Sequence, residues 1–99
     1  PNMLLSLHPD YVMFHTIWPQ GTDRSLIHCY WLFHPATLSD PTFNPDDGVE
    51  FWDMTNKQDW HICEQSQFGI QSRAYRPGPY SPRESVPAAW DREYLARMS

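Results

Sequence analysis

A chain of 99 residues with five Trp, five Tyr and five Phe carries more aromatic surface than one small core hides, since a domain of this length buries only about two-thirds of what its unfolded chain exposes. A formal net charge of -5, with seven Lys and Arg in all, excludes nucleic acid and anionic membrane surfaces as partners, because both need basic side chains. No apolar run approaches the ~18 residues of a membrane span and no signal-peptide pattern is present, so a cytoplasmic protein is expected. The chain opens at Pro1 without an initiator Met and enters an apolar run at once. It is expected to be a piece of a larger polypeptide, some of its aromatic faces lying against parts outside it.

Three strands are predicted first, over residues 3–7, 11–18 and 25–34. Val, Ile, Phe, Tyr and Trp enrich these runs, while His8-Pro9-Asp10 and Pro19-Gln20-Gly21-Thr22-Asp23 punctuate them as turns. Connections this short imply an antiparallel meander. In the third run Leu26, His28, Tyr30, Leu32 and His34 alternate with Ile27, Cys29, Trp31 and Phe33. Large groups on both faces predict a strand covered on both sides, or one with a face lining a cavity.

Residues 36–45 read as a proline-marked connector. Asn44 is placed to cap a helix, Pro45 suits its first position, and Asp46 and Asp47 suit its positive end. The helix is predicted over about 45–68, with Gly69 as its stop. Pro77, Gly78, Pro79 and Pro82 keep the next stretch irregular. A short last helix over about 87–98 presents Trp90 and Tyr94.

Steps of about 100° along the long helix put Trp52, Thr55, Asn56, Asp59, Cys63 and Ser66 on one side, with Val49, Phe51, Trp60 and Ile62 flanking them. Glu50, Asp53, Lys57, His61 and Glu64 fall on the other side and read as a solvated face. A carboxylate among Trp and Cys side chains costs heavily in desolvation unless it is hydrogen-bonded, paired or bound to a metal. Asp59 is therefore expected to be either a hydrogen-bonded buried acid or a metal ligand, with His15 or His28 as candidate imidazoles from the sheet. Cysteine-nucleophile chemistry is disfavoured: His61 and Cys63 point to opposite sides of the helix, His28 and Cys29 to opposite faces of a strand. Cys29 and Cys63 read as free buried thiols.

The run Asp59-Trp-His-Ile-Cys-Glu-Gln-Ser-Gln-Phe-Gly69, followed by Ser72-Arg-Ala-Tyr75 and Gly78-Pro-Tyr80, resembles the C-terminal part of the catalytic domain of Rieske-type ring-hydroxylating oxygenase α subunits. Leu4-Leu-Ser-Leu-His-Pro-Asp-Tyr-Val12 and Trp31-Leu-Phe-His-Pro35 resemble strands of the same family, so the likeness covers nearly all of residues 1–99.

The resemblance implies an α+β fold of helix-grip type, with an antiparallel sheet wrapped on a long helix that delivers the carboxylate of a two-His, one-carboxylate Fe(II) site. The ligand position falls on Asp59, although an alignment offset by three residues puts Asn56 there. The family's His ligands and its [2Fe-2S] cluster lie in parts that this chain lacks, so alone it should be inactive. The implied reaction is reductive activation of dioxygen to hydroxylate or oxidatively demethylate a small organic substrate, such as an aromatic compound. Electrons would come from a reductase or ferredoxin, and the whole protein would be a homo-oligomer, a trimer. Trp52, Asn56, Phe14 and Tyr30 are candidate pocket residues. The competing reading is a metal-free helix-grip domain that binds a ligand or a partner.

Overall fold

The computed structural model describes residues 2–99 and has three strands followed by three helices: β1 (Met3–Leu7), β2 (Tyr11–Pro19), β3 (Ser25–Phe33), α1 (Pro35–Leu38), α2 (Asp46–Ile70) and α3 (Ser85–Met98). The chain forms two compact units, one running to Phe68 and the other from Gly69 to Ser99. No helix among the described residues is long and apolar enough to cross a membrane.

In the first unit the strands form the expected antiparallel meander, in the order β1-β2-β3. Met3 lies opposite Thr16 and Leu7 opposite Val12, while Tyr11 lies opposite Phe33 and Ile17 opposite Ile27. Because side chains alternate, this register sorts the sheet into two faces. Tyr11, Met13, His15, Ile17, Ile27, Cys29, Trp31 and Phe33 share one. Met3, Leu5, Leu7, Val12, Phe14, Thr16, Trp18, Leu26, His28, Tyr30 and Leu32 share the other.

Helix α2 lies on the first face, and its sequence explains both its start and its length. The Asp46 N–H donates to Asn44 Oδ1 at 3.0 Å and the Val49 N–H to the Pro45 carbonyl at 3.0 Å, so the expected cap forms. Lys57 and Asp53 pair at 2.5 Å across one exposed turn, supporting the polar side as predicted. Gly69 does not stop the helix. It lies inside α2 with no positive φ, and the chain turns only afterwards, where the Ser72 N–H reaches the Gly69 carbonyl at 3.1 Å.

β2 runs one residue further than expected, to Pro19, and two other boundaries shift, each because of a local hydrogen bond. β3 ends at Phe33 because the His34 imidazole accepts from the Ala36 N–H at 3.2 Å and caps α1, a helical turn inside the expected connector. In the second unit α3 begins at Ser85, ahead of Pro87. The Ser81 N–H donates to Glu84 Oε2 at 2.6 Å while the Glu84 N–H bonds the Ser81 carbonyl, and proline is tolerated in a first helical turn, where its missing N–H has no partner to lose.

Met13 is fully buried, and Asn56 is the only polar residue to join it in the buried class among the described residues. Nothing among the described residues covers the outer sheet face, so the third strand is not covered on both sides within this chain: Leu5, Leu7, Leu26 and Leu32 are all about half exposed or more. So contiguous an apolar face is what a soluble chain normally sets against another surface.

Candidate functional site

The centre of the first unit is a polar junction between α2 and the sheet. His15 and Cys29 are cross-strand neighbours, and Asn56 stands over both. Its Oδ1 lies 3.1 Å from His15 Nε2 and its Nδ2 3.5 Å from Cys29 Sγ. A carbonyl oxygen only accepts, so the imidazole carries a proton on Nε2 in this contact. Burial, reinforced by the negative charge of Asp53, pushes the Cys29 thiol above its ordinary range. The thiol therefore stays protonated at neutral pH and is a poor nucleophile.

One turn earlier, Trp52 Nε1 donates to the Tyr11 hydroxyl at 2.8 Å. His8 stacks on Tyr11 with ring centroids 4.5 Å apart and meets Trp52 edge-on at 5.5 Å. Gly48 permits this approach, because a Cβ there would stand 3.3 Å from the Tyr11 ring. His8 Nε2 and Trp31 Nε1 are buried without a hydrogen-bond partner among the described residues.

The expected site residues divide between the two sheet faces. Trp52 and Asn56 belong to the junction. Phe14 and Tyr30 stack on each other at 4.7 Å on the opposite face, so these four side chains do not line one cavity. His28 lies on that opposite face too, with Nδ1 3.3 Å from the Tyr30 hydroxyl, whereas His15 faces α2. The two imidazoles thus cannot ligate one ion together.

Asp59 lies about 60° around the helix from Asn56, three residues on at about 100° each, within the sector that also carries Trp52 and Trp60. Yet it is exposed, since the sheet covers α2 at Trp52, Asn56 and Trp60 and leaves Asp59 clear. It is not the desolvated acid that the helical pattern suggested. Its carboxylate makes no hydrogen bond or ion pair among the described residues. The buried polar group of α2 is Asn56, and its partners become visible only once the β2–β3 register is known.

Toward the far end of α2, Trp60, Cys63, Glu64 and Gln67 border a groove of about 460 Å³ whose other wall is the β2–β3 turn, Gly21 to Ser25, with Ile27. Cys63 is exposed there rather than buried. Glu64, expected on the solvated face, shares this groove.

For a mononuclear iron site the donors fit in part. The free Asp59 carboxylate is a competent hard-oxygen ligand. No three His, Cys, Asp or Glu residues among the described residues converge as a complete ligand set.

Comparison with known proteins places these residues in a family. The family described as "Ring hydroxylating alpha subunit (catalytic domain)" matches residues 1–99. The oxygenase subunit of glycine betaine monooxygenase from two strains of Pseudomonas aeruginosa is 38% identical over 72 residues, which is 73% of this chain and 17% of that protein. The corresponding subunit from Chromohalobacter salexigens is 33% identical over 81 residues, 82% of this chain and 18% of that protein. The chain thus spans less than a fifth of the length of these relatives, and no solved structure matches it significantly. With its antiparallel sheet, its long helix and a match along its whole length, the chain belongs to the ring-hydroxylating oxygenase α-subunit family, within the catalytic domain.

Proposed function

We propose that this chain is the part of a Rieske-type oxygenase that supplies the carboxylate ligand of a mononuclear Fe(II), and that the ligand is Asp59. The observation that carries this reading is a carboxylate at the exposed edge of the sheet-side sector of α2 that has no partner among the described residues, in a chain matched throughout by the oxygenase family. The three-residue alternative is less suited to the role. Asn56 already spends its oxygen on His15 and its nitrogen on Cys29, and a neutral amide offers an iron centre no charge.

Bound iron would supply reductive activation of dioxygen, with electrons delivered through a [2Fe-2S] cluster elsewhere in the protein from a reductase or ferredoxin. Within the chain, Asp59 contributes one anionic oxygen. Tyr11, Trp52, His15 and Asn56 hold the helix that carries it. Phe14 and Tyr30 lie on the other sheet face and are not assigned to the pocket.

The substrate is a small organic molecule that is hydroxylated, or demethylated by hydroxylation of a methyl carbon. The relatives named for glycine betaine favour an N-methylated amine over an aromatic compound. The whole protein is a soluble homo-oligomer, a trimer.

Iron analysis of the full-length protein tests this reading. Asp59→Ala should abolish stoichiometric iron while leaving the [2Fe-2S] absorption unchanged. Iron retained at wild-type occupancy in Asp59→Ala would remove the ligand assignment, whereas an intact protein that binds no mononuclear iron would support the metal-free binding domain.

A further inference from the structure

The buried amide of Asn56 requires an explanation of its own. An apolar side chain of similar size at this junction would avoid desolvating a carboxamide, and replacing buried polar contacts with well-packed apolar groups is often neutral or stabilising. Directional polar contacts do something that apolar packing does not: they specify one register. Here the amide bonds two neighbouring strands at once, His15 of β2 and Cys29 of β3. One turn earlier the indole of Trp52 bonds Tyr11 of β2. A single such contact leaves a pivot, while two on successive turns of α2 fix both its rotation and its position along the axis.

Rotation of α2 decides where the side chains of its next turn point. A side chain stands about 5–6 Å from the helix axis, so a 10° roll of α2 moves its tip by about 1 Å. Metal–ligand distances are held to about 0.2 Å. The rest of the interface is poorly suited to preventing such a roll, because Met13 is the only apolar side chain fully buried among the described residues. Neither Phe51 nor Ile62, both more than half exposed, locks the helix.

We propose that Asn56 is a positioning residue: by bonding His15 and Cys29 it sets the roll of α2 on the sheet and thereby the direction in which Asp59, one turn on, presents its carboxylate. This rests on the reading of Asp59 as an iron ligand. His15 is, on this account, a structural donor and not an iron ligand, its Nε2 being committed to the amide.

The test uses the full-length protein and titrates apoprotein with Fe(II). The ferrous–nitrosyl electron paramagnetic resonance signal and the thermal midpoint are followed in parallel. Asn56→Leu should weaken Fe(II) binding about 10- to 100-fold, the range typical for groups that orient a ligand. It should also broaden the nitrosyl signal while leaving the thermal midpoint of the apoprotein within a few degrees of wild type. His15→Leu, which removes the partner and keeps Asn56, should do the same. His15→Gln, which retains an N–H donor, should restore most of the affinity.

Wild-type Fe(II) affinity and an unchanged nitrosyl signal in a folded Asn56→Leu or His15→Leu protein would overturn the proposal. So would His15→Gln behaving no better than His15→Leu. If Asn56→Leu fails to fold, the two His15 variants decide. Asp59→Ala separates the two levels: iron lost in Asp59→Ala but kept in Asn56→Leu removes only the positioning role, whereas iron kept in Asp59→Ala removes the ligand assignment itself.

Discussion

Trp52 of α2 and Tyr11 of β2 are joined by a hydrogen bond of 2.8 Å from the indole N–H to the phenol oxygen, across 41 residues of chain. It is a long-range polar tie in a unit whose apolar core is very small, so its removal is not absorbed by surrounding packing.

Tyr11→Phe deletes only the acceptor. The half-buried indole N–H then loses its partner, which costs about 1 kcal/mol or more. The stacking of His8 on the ring is retained. Denaturant unfolding of the intact protein should show this loss with an unchanged m-value. A variant as stable as wild type would mean that water replaces the phenol oxygen.

Two glycines in α2 should respond differently to alanine. Gly69 lies within the helix at an ordinary negative φ, with open space where a Cβ would go. Gly69→Ala should therefore stabilise by about 0.5–1 kcal/mol, through helix propensity and a less disordered unfolded chain. At Gly48 the new Cβ would press on the Tyr11 ring at 3.3 Å, so Gly48→Ala should gain less or nothing. Parallel thermal melts of the two variants measure the difference.

The two thiols should be distinguishable by alkylation. Cys63 is exposed and Cys29 half-buried, and burial together with Asp53 raises the Cys29 pKa. Iodoacetamide at neutral pH should label Cys63 first, with Cys29 slower and accelerating only as the pH rises beyond the ordinary thiol range. A thiol whose folded pKa is raised ionises more readily in the unfolded chain, so its contribution to stability is complete below the unfolded pKa and is lost as pH rises toward the folded value. Cys29→Ala should flatten that alkaline decline. Equal labelling of the two thiols at neutral pH would contradict the buried junction.

Much of the local structure was legible in residue order alone. The strand runs, the two turns between them, and the long helix with Asn44 and Pro45 at its start all appear within a few residues of their expected positions, because propensity, capping and turn chemistry act over a few residues. The misses share a different cause. Expected pocket residues Phe14 and Tyr30 separate from Trp52 and Asn56 because they lie on the other face of the sheet, and a one-residue change of register exchanges the faces of a strand. The β2–β3 register is set where their turn closes, with the Gln20 N–H on the Arg24 carbonyl at 2.9 Å, but which of the two faces receives α2 is decided only by packing.

Asp59 and Asn56 show the same division on the helix. The 3.6-residue period placed both on the sheet-facing sector of α2, and it did so without any knowledge of the strands. Which of the two is buried depends on where the sheet lies beneath that sector. Residue order therefore determined the elements, the helix face and the family resemblance, all of which are short-range or pattern properties. Only the tertiary structure decided that Asn56 is the polar group held by His15 and Cys29 and that the Asp59 carboxylate is left free, because burial is set by contacts between residues distant in the chain.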